Sequence, residues 1–263
     1  MTAPAALATP LLAARQLDVA VAGKTLVRGL DLALRGGETL AILGRNGSGK
    51  TTLLHTLAGL RPACAGTVAL CGRPYAEHGA RAAAGLRGLL AQTQSDAFPA
   101  SVLETALIGR HPHLGRWAWE GAADERIARE ALAAVGLAGL ERREVHTLSG
   151  GERQRLGIAT LLTQQPLLYL LDEPLAHLDL SHQIAMLELV QRHAADCGAG
   201  FVIVLHDMNL ALRYCRRALL LFGDGRWEEG PSAQVLTAES LGELYGHSLR
   251  ELRDGAFRYF IAA

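Results

Sequence analysis

Residues able to do chemistry gather at a few places along the 263-residue chain. The run Gly44-Arg45-Asn46-Gly47-Ser48-Gly49-Lys50-Thr51 matches the pattern G-x-x-x-x-G-K-[ST]. Glycines in such a run let the backbone curl until successive N–H groups converge on phosphate oxygens. A helix starting at the end of the loop adds partial positive charge. The Lys50 ammonium is compact enough to reach β- and γ-phosphates inside that nest, and the Thr51 hydroxyl can ligate Mg²⁺. Of the 26 basic residues, 24 are Arg and only Lys24 and Lys50 are Lys. A lysine kept against that bias serves where a guanidinium does not.

A phosphate loop alone leaves kinases, GTPases and transporter ATPases open. The run Leu148-Ser149-Gly150-Gly151-Glu152-Arg153-Gln154-Arg155 narrows the choice. Ser149 and two glycines placed just before a helical stretch present a hydroxyl and free N–H groups to an anion. Here the chain resembles the ATP-binding-cassette (ABC) family, whose signature is L-S-G-G-Q, with Glu152 in place of Gln.

The resemblance implies roles for the remaining residues. Gly44 to Thr51, with Thr52, would cradle ATP. Ser149, Gly150 and Gly151 would close on the γ-phosphate held by an opposite subunit. Asp172 and Glu173 end the apolar run Leu167–Leu171, where a doubly wound sheet places its ligands. Asp172 would bind Mg²⁺ through water, joined by Thr51 and Gln92, and Glu173 would polarise the attacking water. Gln92, within Leu89–Gln94, would sense Mg²⁺ or water on one side and the transporter on the other. Pro174–Asp179 matches the D-loop, which brings Asp179 to the nucleotide. Phe201–Leu205 delivers His206 to the γ-phosphate. The family usually stacks adenine on an aromatic side chain of the first strand; the matching position is Val21. The helix after the signature lacks the usual Ala-Arg-Ala. The resemblance runs from about Leu17 to Leu236.

Within the family, Gly109-Arg110-His111-Pro112-His113-Leu114 resembles the G-R-x-P-H-L of ATPases serving metal-chelate importers. Leu178-Asp179-Leu180-Ser181-His182-Gln183, Leu205-His206-Asp207-Met208-Asn209-Leu210 and Tyr245-Gly246 resemble the same branch. It imports iron siderophores, haem and vitamin B12, and Tyr245–Ile261 looks slightly closer to the vitamin B12 members. This implies that the segment after Gln92 docks a membrane permease, with Arg110 and His111 facing it. His111 and His113 lack the further ligands of a metal site and read as surface or interface. Two alternatives stay open: an importer ATPase for a free metal ion or oxyanion, and a soluble ABC protein of DNA repair or the ribosome. The latter usually carries two cassettes or a long coiled-coil insertion, and neither is seen.

These residues need elements to position them. Thr39–Leu43, Leu167–Leu171, Phe201–Leu205 and Ala218–Phe222 read as buried strands. Thr51–Leu60, Arg155–Thr163 and Ser181–Ala195 read as helices. Gln16–Leu34 reads as two short strands joined by Ala22-Gly23-Lys24, with another strand at Gly66–Leu70. From residue 95 the pattern turns helical. Ser101-Val-Leu-Glu104 is a capping box, and Asp124 is expected to cap Glu125–Val135, with Ile127, Leu132 and Val135 on one apolar face. After the turn Gly223-Asp224-Gly225 come helical stretches Ser232–Leu236 and Ala238–Tyr245, then a hairpin around Asp254-Gly255. The expected fold is α/β: a RecA-like P-loop core with an antiparallel β subdomain (15–94 and 149–263) and an inserted α-helical subdomain (95–148), in one domain.

Composition sets the bounds. Hydrophobic residues make up 49% and charged residues 20%, as in a globular protein. Lys+Arg and Asp+Glu are both 26, so no broad footprint for nucleic acid is expected. The apolar runs are strand-length, too short to span a bilayer. Met1–Ala14 lacks a basic start, so it reads as a frayed leader and not a secretory signal. Cys64, Cys71, Cys197 and Cys215 form no C-x-x-C pair and are expected buried or half-buried. One set of motifs implies a homodimer. The expected setting is peripheral, on the cytoplasmic face of the inner membrane, with permease subunits and, indirectly, an external substrate-binding protein.

Overall fold

A computed structural model describes residues 9–92, 99–115, 117–255 and 257–263. The strands are β1 (Leu12–Val21), β2 (Lys24–Leu34), β3 (Thr39–Gly44), β4 (Ala65–Leu70), β5 (Arg73–Pro74), β6 (Arg87–Leu90), β7 (Leu168–Leu171), β8 (Gly200–Val204), β9 (Arg217–Leu221), β10 (Trp227–Pro231), β11 (Leu249–Asp254) and β12 (Phe257–Ala262). The helices are α1 (Lys50–Leu57), α2 (Tyr75–His78), α3 (Ala80–Leu86), α4 (Val102–Leu107), α5 (Ala122–Ala134), α6 (Gly150–Gln164), α7 (Leu180–Cys197), α8 (Met208–Tyr214), α9 (Ser232–Val235) and α10 (Ala238–Tyr245).

The central sheet has the order β10-β9-β3-β8-β7-β6. Its strands β9, β3, β8, β7 and β6 are parallel, and only β10 is antiparallel to its neighbour. Every residue of β3, β7 and β8 is buried, as expected of strands covered on both faces. Alternate side chains feed two cores. Leu40, Ile42, Leu168, Leu170, Val202 and Val204 pack toward α1 and the antiparallel sheet β2-β1-β4-β5. Ala41, Leu43, Tyr169, Leu171, Phe201 and Ile203 pack toward the helices. Both subdomains therefore rest on one sheet.

Sequence and structure part in several places. Leu11, Leu12 and Ala14 are not frayed: they are buried, and β1 begins at Leu12. Their apolar run pairs with β2 on one side and β4 on the other. The first two strands are long, 10 and 11 residues, not short. Helix α5 starts earlier than expected, and Asp124 is not its cap. Gly121 is the cap, and Asp124 sits at the third helical position, where its carboxylate accepts from the Gly121 N–H at 3.0 Å. Leu132 and Val135 are buried with Ala128 and Ala131, while Ile127 is half-buried. The Ser101–Glu104 capping box is present. Cys215 is buried and Cys71 half-buried, but Cys64 and Cys197 are exposed. Residue 95, the expected start of the helical insertion, lies outside the described residues. Helix α6 bonds both to the end of α5 and to β6: Arg155 Nη1 donates to the carbonyls of Val135 and Gly136 at 3.0 and 2.9 Å, and Gln164 Nε2 to that of Arg87 at 2.9 Å. Among the described residues no helix is long and apolar enough to cross a membrane.

Candidate nucleotide site

Four neighbouring parallel strands deliver the chemistry at their C-terminal ends. β3 runs into the glycine loop, β8 leads to His206, β7 to Asp172 and Glu173, and β6 to Gln92. One open cleft is lined by Asn46, Gly47, Gly49, Lys50, Thr51, Thr52, Gln92, Glu173 and His206, with Val21, Lys24 and Leu26 at its hairpin end. The loop turns at Gly47 and Gly49, with φ of +78° and +101°. A Cβ on Gly49 would also stand 2.9 Å from Leu26, so both conformation and close approach require glycine there. Gly44 has no such room either, since a Cβ would press on the Ser48 hydroxyl.

Lys50 is buried, and its ammonium donates to the carbonyls of Gly44 at 2.9 Å and Arg45 at 3.3 Å. Burial lowers its pKa, while Glu173 and Asp172 oppose that shift. Asp172 is fully buried, and neither carboxylate oxygen has a hydrogen-bond partner among the described residues. Burial pushes its pKa up, against the neighbouring Thr51 hydroxyl. An orphaned buried carboxylate beside a threonine hydroxyl fits a hard divalent cation such as Mg²⁺.

Glu173 is held from both sides. His206 Nε2 lies 2.8 Å from Oε1, and Gln92 Nε2 donates to Oε2 at 2.9 Å. Its φ of +50° is unusual for a residue with a Cβ. Gln154 Nε2, from α6, donates to the Glu173 carbonyl at 3.3 Å. Sequence reasoning gave Gln154 no role.

Ser149, Gly150, Gly151 and Asp179 do not line this cleft. They line a second surface with His177 and His182. Ser149 caps α6: its hydroxyl accepts from the Glu152 N–H at 3.2 Å, and Glu152 Oε2 accepts from the Ser149 N–H at 2.8 Å. These bonds hold the Glu152 carboxyl below the usual range. Asp179 caps α7, accepting from the His182 N–H at 2.9 Å and the Ser181 hydroxyl at 2.7 Å, which lowers its pKa. The two surfaces are separate on the chain.

The expected docking residues separate. Arg110 does not face outward. It is buried, with Nε 2.8 Å from Asp124 Oδ1 and Nη1 donating at 3.1 Å to Thr163 O and Gln165 Oε1. Paired with Asp124, its guanidinium ties the segment before α5 to the end of α6. His111 is exposed and shares a pocket with Arg81, Leu114, Trp117, Trp119 and Glu120. Trp117 and Trp119 are 87% and 88% exposed, which the sequence reading overlooked. The alternation Trp-Ala-Trp in a chain with 5% aromatic residues was the available signal. His113 is engaged by the Gln164 carbonyl at 2.7 Å, and the described residues contain no group of three or more potential metal ligands.

Residues 27–176 match the model of the ABC transporter family. The chain is 45% identical over 244 residues to the hemin import ATP-binding protein HmuV of Gloeobacter violaceus, covering 90% of this chain and 87% of the relative. The HmuV protein of Streptomyces coelicolor is 42% identical, with 92% and 85% covered. Among solved structures, a chain of an inward-facing ABC transporter assigned to the metal-chelate type superposes with a TM-score of 0.85 at 28% identity, covering 97% of this chain and 98% of that one. A bacterial ABC cassette solved as a dimer shares the fold, with a TM-score of 0.72 at 24% identity over 83% of this chain and 98% of that one.

Proposed function

The chain belongs to the ABC transporter family, and from that premise we propose that it is the ATP-hydrolysing subunit of a metal-chelate importer whose cargo is haem. The observation that carries the ATPase reading is the convergence of the glycine loop, Asp172, Glu173, His206 and Gln92 at adjacent strand ends. The haem cargo rests on the hemin import relatives at 38–45% identity. They favour haem over the vitamin B12 affinity suggested by the tail.

ATP is the substrate, with its β- and γ-phosphates in the loop. When bound, Mg²⁺ would supply charge neutralisation, held by Thr51 and, through water, by Asp172, with Gln92 nearby. Phosphoryl transfer leaves the protein mainly to position groups and stabilise charge. Glu173 orients and polarises the attacking water, and His206 holds that carboxylate. Ser149, Gly150, Gly151 and Asp179 of a second copy complete the site, which makes the working unit a homodimer. The loop face around His111, Trp117 and Trp119 suits a permease. With that partner the subunit sits peripherally at the cytoplasmic face of the inner membrane, and an external binding protein hands over cargo on the other side. Residues 15–94 and 149–263 act as the core, and 95–148 as the insertion that meets the permease.

The test is reconstitution with the permease in vesicles. ATP-dependent movement of haem, lost with Lys50→Ala, is expected. Movement of a free metal ion or oxyanion in its place would overturn the cargo, and absence of ATP hydrolysis the enzyme.

A further inference from the structure

The two lysines of the chain both line one cleft. Lys50 belongs to the phosphate loop. Lys24 has no assigned role, yet its position is firmly set. It pairs with Val21 across a two-residue turn in which Ala22 and Gly23 have φ of +48° and +80°, the tight primed hairpin that matches strand twist. Two residues along β2, Leu26 is buried against Gly49 of the loop. The β1–β2 register shifts at Leu26, so strand alternation does not carry across it, yet Lys24 and Leu26 line the same cleft, with Lys24 on the turn side of Leu26. Its side chain is exposed and makes no hydrogen bond or ion pair among the described residues.

We propose that Lys24 is a second phosphate-binding cation of the cleft and takes the α-phosphate of the nucleotide. The inference rests on the ATPase reading given above. A nucleotide whose β- and γ-phosphates lie at Lys50 leads its α-phosphate and ribose past Leu26, in front of Lys24. The long stem lets the ammonium reach back toward that phosphate. A compact, strongly hydrated point charge suits a phosphate shared with solvent, consistent with lysine surviving here in a chain that otherwise uses arginine.

The test is nucleotide binding by calorimetry, with ATP and ADP, on wild type, Lys24→Met, Lys24→Arg and Lys50→Ala. Lys24→Met keeps the stem and removes the charge. It should raise Kd about fivefold at low salt, equally for ATP and ADP because both carry the α-phosphate. The deficit should shrink as salt rises, and Lys24→Arg should fall between wild type and Lys24→Met. Thermal melting without nucleotide should be unchanged, since the side chain is exposed. Unchanged affinity in Lys24→Met, a loss confined to ATP, or an Arg variant no better than Met would each overturn the assignment. The ATPase reading fails separately, if the wild type does not bind ATP or Lys50→Ala binds it as tightly as wild type.

Discussion

Replacing Glu173 by Gln isolates the step that turns nucleotide binding into hydrolysis. The carboxylate accepts from Gln92 at 2.9 Å and meets His206 Nε2 at 2.8 Å. A glutamine of the same size keeps one oxygen acceptor and loses the negative charge that polarises water. General-base assistance contributes about 10²–10⁴-fold, so turnover should fall by that factor, or about 2.7–5.4 kcal/mol in the barrier. Phosphate contacts come from the loop amides and Lys50, so ATP affinity should change by less than about threefold and in the favourable direction, because a like charge near the γ-phosphate is gone. The variant should accumulate as a closed dimer in Mg-ATP. The assays are phosphate release, calorimetry and gel filtration with and without Mg-ATP. Hydrolysis within about twofold of wild type would refute the role of Glu173.

Three further outcomes follow from individual side chains. Asp172→Asn removes the buried carboxylate charge that suits a divalent cation; added Mg-ATP should raise the melting point of the variant less than that of wild type, and an equal rise would refute the metal role. Val21→Tyr should tighten ATP about tenfold through base stacking: Val21 is 37% exposed at the hairpin end, and among the described residues no Phe, Tyr or Trp lines the cleft. The wild type should separate ATP from GTP weakly, and a strong wild-type preference with no gain in Val21→Tyr would refute this. Arg110→Glu should destabilise the fold by about 3–5 kcal/mol, the cost of breaking a buried pair, lowering the melting point by on the order of 10 °C; a melting point within a degree of wild type would show that the Asp124 pair is dispensable.

The parts of the site that a sequence exposes are those fixed by local backbone chemistry. The glycine loop was read from spacing, and the Leu148–Arg155 run and the acidic pair at the end of β7 from their likeness to the family's motifs, because each depends on residues adjacent in the chain. The core strands were legible for the same reason, since burial on both faces leaves continuous apolar runs. Arg110 was misplaced because its partners, Asp124, Thr163 and Gln165, are distant in sequence, and an arginine in a polar loop gives no local sign that it is buried. The start of β1 was missed because its apolar residues look like a leader until β2 and β4 flank them. The cap of α5 moved to Gly121 because Asp124 serves equally well at the third helical position, answering the Gly121 N–H from inside the helix.

The departure at Glu152 follows the same logic of local neutralisation. In the function proposed above the signature residues receive an anion, which a carboxylate three residues into α6 would oppose. In the structure Glu152 turns back on its own helix end, accepts from the Ser149 N–H at 2.8 Å, and is paired by Arg143 Nη1 at 3.1 Å. Arg143 also donates to the Thr147 carbonyl, which ties the loop before the signature to the helix it opens. The charge that Glu152 brings is therefore offset within the same surface. The Gly150 and Gly151 positions pack against His177 and Leu178 of the D-loop, whose His177 holds a φ of +63°. Signature and D-loop thus form one continuous face of the chain, separate from the cleft that Lys50 lines.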